Sequence, residues 1–292
     1  FYKAKRKIVS VAFLPSADSS FGISDVCFGD IGGSFFRIQK ECLAEVAPAQ
    51  NTGAITSIAV SPYFIEDKTI WVGTENKGVF RTSDGGENFE KLDSMLNRKR
   101  VTFLHATAQV KPKVVLFCST WREAIFRSDD RGESWHKFDR GLTTDAQADR
   151  PEWLLPHFEG IAVNKNFCLL AGFDGLFLSK DEGKNWRQLE TCPVSNITLL
   201  FLSPLINGDH QSGVLAYGGG AYFIRDVGLK NWSENSLSLT MAGKIGQRTD
   251  GAVSDVVFSP SYSGDKTFFV ANEHELIKTV DDGENWTRGK IQ

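Results

Sequence analysis

The sequence predicts an all-β fold, and three observations carry that prediction. A ten-residue motif recurs along the chain with one internal spacing, and the segments that flank it recur as well. No segment of useful length has the 3.6-residue hydrophobic period of a helix. The flanking segments alternate apolar and polar residues and are rich in β-branched and aromatic residues, which is typical of strands. The repeat therefore predicts a chain of similar β-sheet units.

The motif reads Ser/Thr-x-Asp-x-Gly-x-x-Trp/Phe. Its four clean copies are FRTSDGGENF (80–89), FRSDDRGESW (126–135), FLSKDEGKNW (177–186) and IKTVDDGENW (277–286). A worn copy, IRDVGLKNW (224–232), keeps Asp226, Gly228 and Trp232 but has one extra residue between them. Four copies with one spacing indicate a repeated hairpin.

Each unit is predicted to contain four strands. The segment ITSIAVSPYFIEDKTIWVGTENKGVF (55–80) has a counterpart in VSDVVFSPSYSGDKTFFVANEHELIK (253–278). Both read as an alternating strand, a Ser-Pro loop, a second strand, a polar turn and a third strand. A short fourth strand follows the motif, as in FEKLD (89–93) or WRQLE (186–190).

Six such units are counted along the chain. Their approximate ranges are 8–47, 53–94, 100–140, 157–191, 195–238 and 252–292. Four-stranded units at a spacing of about 45–55 residues are typical of β-propeller blades. We therefore expect one β-propeller domain over 1–292, with six blades that form either the whole ring or most of a seven-bladed one. The first unit is degenerate, because GSFFRI (33–38) matches a third strand but QKECLAEV (39–46) has no motif.

On these motifs the chain resembles the Asp-box (BNR) repeat propellers. That superfamily includes sialidases, xyloglucan-degrading hydrolases, sortilin-type receptors and photosystem II assembly factors. The resemblance covers nearly the whole chain and implies a propeller fold. It does not select a function, because one fold hosts many kinds of site.

The Asp-boxes themselves are interpreted as structural turns. A short acid accepts backbone N–H bonds across a turn, a glycine adopts positive φ at low cost, and a closing aromatic residue buries area between sheets. The resemblance implies that these turns lie at the periphery, opposite the substrate site. A Ca²⁺ site would need more acids in each turn. The structural acids and closing aromatic residues are Asp84, Asp130, Asp181, Asp281, Phe89, Trp135, Trp186 and Trp286.

The turns between second and third strands, at the opposite end, are candidates for a binding or catalytic face. Acids occupy a similar place in five of the six turns: Asp30, Glu75, Glu123, Asp174 and Glu273. They are interpreted either as a partial ring of carboxylates that holds a basic ligand or a glycosidic bond, or as ordinary polar turn residues.

Two long links between units add further candidate residues. The link at 139–160 carries Trp153 and His157, and the neighbouring turn carries Trp121 and Arg122. The link at 237–253 carries Lys244, Arg248 and Asp250, and His274 lies in the last turn. Long loops in compact domains are often functional. Exposed tryptophan and arginine would suit a sugar-stacking or protein-docking surface, and packing over the end of the channel is the alternative.

A binding scaffold for a protein or carbohydrate is favoured over an enzyme. A sialidase is not expected, because FRIQ (36–39) lacks the family's proline and aligns with VFRT (79–82) and IFRS (125–128), so that Arg37 is a repeat residue. Another glycoside hydrolase stays open as the alternative, since Glu123, Asp174, Asp250 and Glu273 could supply its two carboxylates. The hydrolase relatives generally use two propellers, whereas this chain has one.

Composition limits the possible partners and cofactors. The formal net charge is −3 over 292 residues, which argues against nucleic acid as the ligand. The short basic run NRKR (97–100) is read as loop charge or as a modest basic patch. We found no apolar run long enough to span a membrane, no metal-ligand cluster and no cofactor motif. Oligomeric state is not predicted.

Cysteine usage and the start of the chain give only a weak indication of the compartment. Five cysteines without short spacings predict buried thiols rather than disulfides or a zinc site, which weakly favours an intracellular or organellar compartment. The chain begins at Phe1, so an upstream segment is expected to be missing, and localisation stays open.

Overall fold

The computed structural model consists of four-stranded antiparallel sheets. It describes residues 8–15, 23–39, 42–46, 53–92, 95–108, 113–142, 157–163, 167–189, 192, 195–203, 213–217, 220–224, 241–244, 253, 255–259, 262–271 and 275–290. The chain divides into two compact units, Phe1–Phe158 and Glu159–Gln292. The prediction of a single domain stays a prediction, and each unit is described by itself.

The first unit contains three complete sheets. Their strands are β1 (Ile8–Pro15), β2 (Ile23–Asp30), β3 (Phe35–Gln39) and β4 (Cys42–Val46); β5 (Ile55–Val60), β6 (Ile70–Thr74), β7 (Val79–Thr82) and β8 (Glu90–Lys91); and β9 (Val101–Ala108), β10 (Val114–Thr120), β11 (Ile125–Ser128) and β12 (His136–Lys137). Strands are ordered sequentially within each sheet. Helix α1 (Phe64–Asp67) lies between β5 and β6.

The second unit contains the remaining strands. They are β13 (Phe158–Val163, which begins at the last residue of the first unit), β14 (Cys168–Gly172), β15 (Gly175–Ser179) and β16 (Arg187–Gln188); β17 (Ile197–Leu202), β18 (Gly213–Tyr217), β19 (Gly220–Ile224) and β20 (Met241–Lys244); and β21 (Asp255–Phe258), β22 (Phe268–Ala271), β23 (Glu275–Thr279) and β24 (Thr287–Lys290). Helix α2 (Tyr262–Asp265) lies between β21 and β22.

The Ser-Pro loops hold a helical turn that the sequence did not predict. In the second sheet, Asp67 accepts a hydrogen bond from Ser61 Oγ at 2.8 Å and one from the backbone N–H of Thr69 at 3.0 Å. Asp265 has the same two kinds of partner, Ser259 and Thr267. The acid of each SPxxxxDKT segment therefore closes its loop.

The fifth sheet extends beyond the predicted unit. We expected that unit to end near 238, but β20 covers Met241–Lys244 and pairs with β19. Lys244 therefore lies on a strand rather than in a link. The repeat did not reveal this strand, because 225–240 separate it from β19 and the worn motif falls in that stretch, outside the described residues.

Apolar cores lie between neighbouring sheets of the same unit. Trp71 of the second sheet and Trp135 of the third share one cluster, while Leu14 of the first sheet and Ile70 of the second share another. In the second unit, the fourth and fifth sheets share a cluster, as do the fifth and sixth. A sheet with both faces covered in this way must rely on its neighbours for burial.

An arginine on the third strand also links successive sheets of the first unit. Arg37 on β3 donates from Nη1 to the carbonyl of Gly85 in the next Asp-box, at 3.2 Å. Arg81 on β7 donates to the carbonyl of Arg131 in the Asp-box after that, at 3.4 Å. Arg37 thus has a counterpart in the next repeat, as the alignment of FRIQ with VFRT predicts.

Candidate functional site

The two ends of each sheet carry different residues. Because the strands are antiparallel, the turn between second and third strands lies at the opposite end from the turn between third and fourth strands. We call the end with turns 30–34, 74–78, 120–124 and 172–175 the loop end, and the other the box end. Residues 95–100 directly precede β9 and so lie at the loop end.

Each Asp-box acid at the box end is used inside its own turn. Asp84 Oδ1 accepts hydrogen bonds from Thr82 Oγ1 at 2.6 Å and from the backbone N–H groups of Glu87 and Asn88 at 2.9 and 3.0 Å. Its Oδ2 accepts from the Asn88 side chain at 2.9 Å. The Thr82 hydroxyl accepts in turn from the N–H of Gly86 at 3.1 Å. These carboxylate oxygens are occupied by the protein itself.

The other three boxes repeat this arrangement. Asp130, Asp181 and Asp281 each accept from a Ser or Thr hydroxyl two residues earlier and from a backbone N–H four residues later. The Ser or Thr of the motif was not predicted to bond the acid, and the residue before the aromatic was not recognised as part of the network. A Ser or Thr at the start of every box, and an Asn or Ser before every aromatic residue, were the available signal.

The glycines and aromatic residues of the boxes have the geometry of a packed turn. Gly86, Gly132, Gly183 and Gly283 have φ values of 106°, 95°, 86° and 85°. Trp135 and Trp186 are both 5% exposed. Phe89 packs edge-on against Phe35 of the preceding sheet, with 5.0 Å between ring centroids. The boxes therefore serve the framework.

Hydrogen bonding also shifts the acidity of the box carboxyl groups. Desolvation alone would raise the pKa of Asp84, but the bonds from Thr82, Asn88 and Glu87 outweigh it and lower that pKa to about 2. The pKa values of Asp130 and Asp181 are lowered against desolvation in the same way. For Asp281 the bonds from Asn285 are the main cause of a lowered pKa.

Acidification is therefore expected to destabilise the boxes in a defined range. An aspartate has a pKa of about 3.9 in an unfolded chain. Since the folded value for Asp84 is lower, its contribution to stability is present above about pH 4 and is lost as pH falls toward 2. Acidification from about pH 4.5 to about pH 2.5 is expected to lower the urea midpoint of unfolding less in Asp84→Asn than in the wild type.

Ser83→Ala is the control for that experiment, because Ser83 is an exposed neighbour that does not titrate. Its urea midpoint should fall with pH as that of the wild type does. If the urea midpoints of Asp84→Asn and the wild type fell equally with pH, protonation of the box carboxylate would not contribute to the pH dependence of stability.

At the loop end, the acids of the first three turns do not share one position. Backbone hydrogen bonds from Asp30 to Ser34, Thr74 to Gly78 and Thr120 to Ala124 close these turns. In that alignment Asp30 is the first residue of its turn, Glu75 the second and Glu123 the fourth. The turn after β14 is a tighter hairpin that pairs Gly172 with Gly175. The similar spacing in the sequence therefore does not correspond to a common structural register.

Asp30 has a structural role in its turn. It is 4% exposed, and its Oδ1 accepts the N–H groups of Gly32 and Ser34, both at 2.8 Å. The Thr74 hydroxyl has a similar role in the next turn, where it accepts from the N–H of Lys77 at 3.0 Å. The carboxylate of Asp30 therefore closes its turn, and its role as a ligand residue stays a prediction.

The other described acids of these turns have different environments. Glu123 is exposed and forms an ion pair with Lys99, and it also accepts from Thr120 Oγ1 at 3.3 Å. Glu75 is exposed. Asp174 is partly buried, and its carbonyl accepts from Gln188 Nε2 at 2.7 Å. Their roles as ligand or catalytic residues stay predictions.

Trp121 lies at the centre of a cluster at the loop end of the first unit. The Cζ atoms of Arg100 and Arg122 lie 4.8 and 5.2 Å from the centre of its ring. The His157 ring lies 4.7 Å away at an interplanar angle of 36°. The backbone N–H of Trp121 donates to the Arg100 carbonyl at 2.9 Å. We call Arg100, Trp121, Arg122 and His157 the Trp121 cluster.

Arg122 has two unusual features. Its φ is +58°, a left-handed conformation that costs a non-glycine residue roughly 1 kcal/mol or more. Its Nε atom is buried and has no hydrogen-bond partner in the described part of the chain. Buried hydrogen-bond donors without a partner are rare in native structures, so this one needs an explanation. The sequence predicted Trp121, Arg122 and His157 as binding residues, but it did not connect them with Arg100.

The remaining candidate residues lie outside the described residues. They are Trp153, Arg248, Asp250, Glu273 and His274. Their placement at a common face stays a prediction.

Buried titratable groups elsewhere belong to the core. Cys27, Cys118 and Cys168 are buried cysteines, and burial raises the pKa of Cys27 to about 12. Burial lowers the pKa of His105 to about 4, so that it is neutral near pH 7. Among the described residues, no group of three His, Cys, Asp or Glu side chains could hold a metal ion, and no helix is long and apolar enough to cross a membrane.

Comparison with known sequences supports the Asp-box resemblance. The family described as Sortilin, neurotensin receptor 3 matches residues 77–204, which include three of the four clean boxes. No curated protein matches the sequence of the chain.

Solved structures extend the likeness over the whole chain at the level of the fold. The GH74 xyloglucanase from Xanthomonas campestris has a TM-score of 0.63 at 15% identity over 97% of this chain, which spans 45% of the xyloglucanase chain. The β-propeller domain of Cps50 (Swd1) from Myceliophteria thermophila has a TM-score of 0.69 at 12% identity, covering 100% of this chain and 89% of that one.

A structure of YCF48 bound to D1 peptide has a TM-score of 0.62 at 13% identity, over 97% of this chain and 82% of that one. At these identities the neighbours show the fold alone. With the sortilin match, they confirm the resemblance to Asp-box repeat propellers and the all-β, propeller-like architecture.

Proposed function

We propose that the chain is a single β-propeller of six four-stranded blades, one for each sheet, and that it acts as a binding scaffold for a partner protein through its loop end. The Trp121 cluster is the observation that carries this proposal. Tryptophan and arginine are the residues most often responsible for affinity at protein interfaces. Here they lie together at the loop end of one unit, away from the boxes that serve the framework.

The described acids give less support to a glycoside hydrolase. Such an enzyme needs two carboxylates about 5–10 Å apart beside the scissile bond. Glu123 is paired with Lys99, and Asp30 closes its own turn. Of the neighbours, the GH74 xyloglucanase is named as an enzyme, and YCF48 is described with a bound peptide.

Loss of the Trp121 cluster is expected to weaken partner binding strongly while the fold is kept. Capture from an extract of the source cells should identify a protein whose purified form binds the wild-type chain. The double variant Trp121→Ala/Arg122→Ala should bind that purified protein about a hundredfold more weakly, in line with the loss of an interface hot spot. Calorimetric titration measures both affinities, and circular dichroism checks the fold.

Val280→Ala is the matched control, because Val280 is 58% exposed and belongs to a box. It should bind like the wild type. Equal binding by the Trp121→Ala/Arg122→Ala variant, or cleavage of xyloglucan by the wild type, would contradict the proposed function.

A further inference from the structure

We infer that the Trp121 cluster recognises an acidic segment of a partner protein, whose side-chain carboxylates bind the guanidinium groups of Arg100 and Arg122. This rests on the proposed function and adds the chemistry of the partner. Trp121 is a positioning residue in this site and is not a stacking platform.

The geometry around the indole ring favours that assignment. A ring has two faces, and the ring of Trp121 already has two guanidinium groups and an imidazole within 4.7–5.2 Å of its centre. A sugar or a nucleic-acid base needs an open aromatic face on which to stack. These groups cover part of the ring on which such a ligand would stack. The contacts instead hold two guanidinium groups in place.

The orphaned donor of Arg122 points to the class of ligand. A guanidinium binds a carboxylate with two parallel N–H···O bonds, and one edge of that fork includes Nε. The Nε of Arg122 is buried without a partner in the described part of the chain. A carboxylate that binds side-on, after the Arg122 side chain turns its Nε edge outward, would satisfy this donor and would offset the cost of leaving it unpaired.

The local charge supports the same partner. Four cations lie at this part of the loop end: Arg98, Lys99, Arg100 and Arg122. Glu123 is the one nearby acid in the turn 120–124, and it neutralises Lys99. The chain as a whole has a formal charge of −3. A positive site on a negative chain favours a short acidic segment over a long polyanion, which the remaining surface would repel.

The role of Glu123 separates this inference from a catalytic one. If Glu123 only holds Lys99, then Glu123→Gln frees a cation and should tighten the binding of an acidic peptide by a few-fold. If Glu123 were a catalytic acid or a ligand for a basic partner, the same change would weaken binding or activity.

The test uses the full chain and a fluorescein-labelled peptide of alternating glutamate and glycine, amidated at its C-terminus so that side chains supply every carboxylate. Fluorescence anisotropy is expected to show saturable binding that weakens as salt rises. Arg100→Gln/Arg122→Gln should weaken it by about ten- to a hundredfold, as expected for lost charged hydrogen bonds. Lys91→Gln/Lys184→Gln removes the same charge at exposed positions elsewhere and should change the affinity less than about twofold.

Two further variants test the positioning role. Trp121→Leu keeps every charge but removes the ring, and it should weaken binding about tenfold, whereas Trp121→Phe should restore most of the affinity at an unchanged melting temperature. A purely structural role would instead lower the melting temperature without this rescue.

Three results would overturn the inference: no binding at about millimolar peptide, equal affinity after loss of both arginines, or tighter binding of a single-stranded oligonucleotide or a xyloglucan oligosaccharide. The proposed scaffold function fails separately, when the purified partner protein binds Trp121→Ala/Arg122→Ala and the wild type equally well. A partner that requires Trp121 but not the arginines would refute the acidic ligand alone.

Discussion

Replacing Trp71 by alanine is expected to lower the unfolding free energy of the Phe1–Phe158 unit by about 3–5 kcal/mol. Trp71 is 0% exposed and shares a cluster with Trp135 of the neighbouring sheet. Its Nε1 donates to the Arg131 carbonyl at 2.9 Å. The substitution therefore opens a cavity between two sheets and removes a bond to the Asp-box of the next sheet.

Trp71→Phe provides the graded comparison for this prediction. It keeps much of the buried area but removes the Nε1 donor. The unfolding free energy should therefore decrease less than in Trp71→Ala, by about 1.5–3 kcal/mol. Urea titration followed by circular dichroism measures both values. A loss below about 1 kcal/mol for Trp71→Ala would mean that the cores between sheets do not stabilise this unit.

Gly132→Ala is expected to cost about 2–4 kcal/mol, since two penalties act at one position. The φ of Gly132 is +95°, which an L-residue adopts only at a cost of roughly 1–2 kcal/mol. A Cβ atom there would lie 2.7 Å from Leu92 Cδ1, and overpacking in a core costs about 1–3 kcal/mol. Thermal and urea unfolding of the variant measure the loss.

Gly264→Ala is the matched control, because a Cβ at Gly264 would meet nothing within 4 Å. Its stability should stay within about 0.5 kcal/mol of the wild type. A loss for Gly132→Ala as small as that expected for Gly264→Ala would show that Gly132 is not conformationally required.

Much of the sheet architecture could be predicted from the sequence, because the same pattern of strands recurs in each repeat. The segment 55–80 predicted β5, β6 and β7 together with the turn between the last two. The boxes were predictable as framework for the same reason, because Asp84 has counterparts in three other turns. The fourth strand of the fifth sheet was missed where the motif is worn, and α1 was missed because four residues are too few to show a helical period.

The site was less predictable, because it depends on contacts between distant parts of the chain. The run NRKR (97–100) and the turn TWREA (120–124) are unremarkable apart in the sequence. They meet because the link to β9 and the turn after β10 lie at one end of the third sheet, where the Trp121 N–H reaches the Arg100 carbonyl. The spacing of the acids in the sequence did not predict their positions in the turns, for a related reason. Asp30 begins its turn whereas Glu123 stands fourth, and counting residues does not distinguish a capping acid from an exposed one.

The bonds that Arg37 and Arg81 make to the following Asp-box have a consequence for how chains of this type can change in length. The second sheet carries both parts of this link: Arg81, which reaches forward to the next box, and the Gly85 carbonyl, which receives Arg37 of the sheet before. Duplication of a whole repeat would insert a new arginine and a new carbonyl together, and deletion would remove both. In either event the flanking repeats would find a suitable partner, so gene-level gain or loss of a sheet would leave these junctions intact.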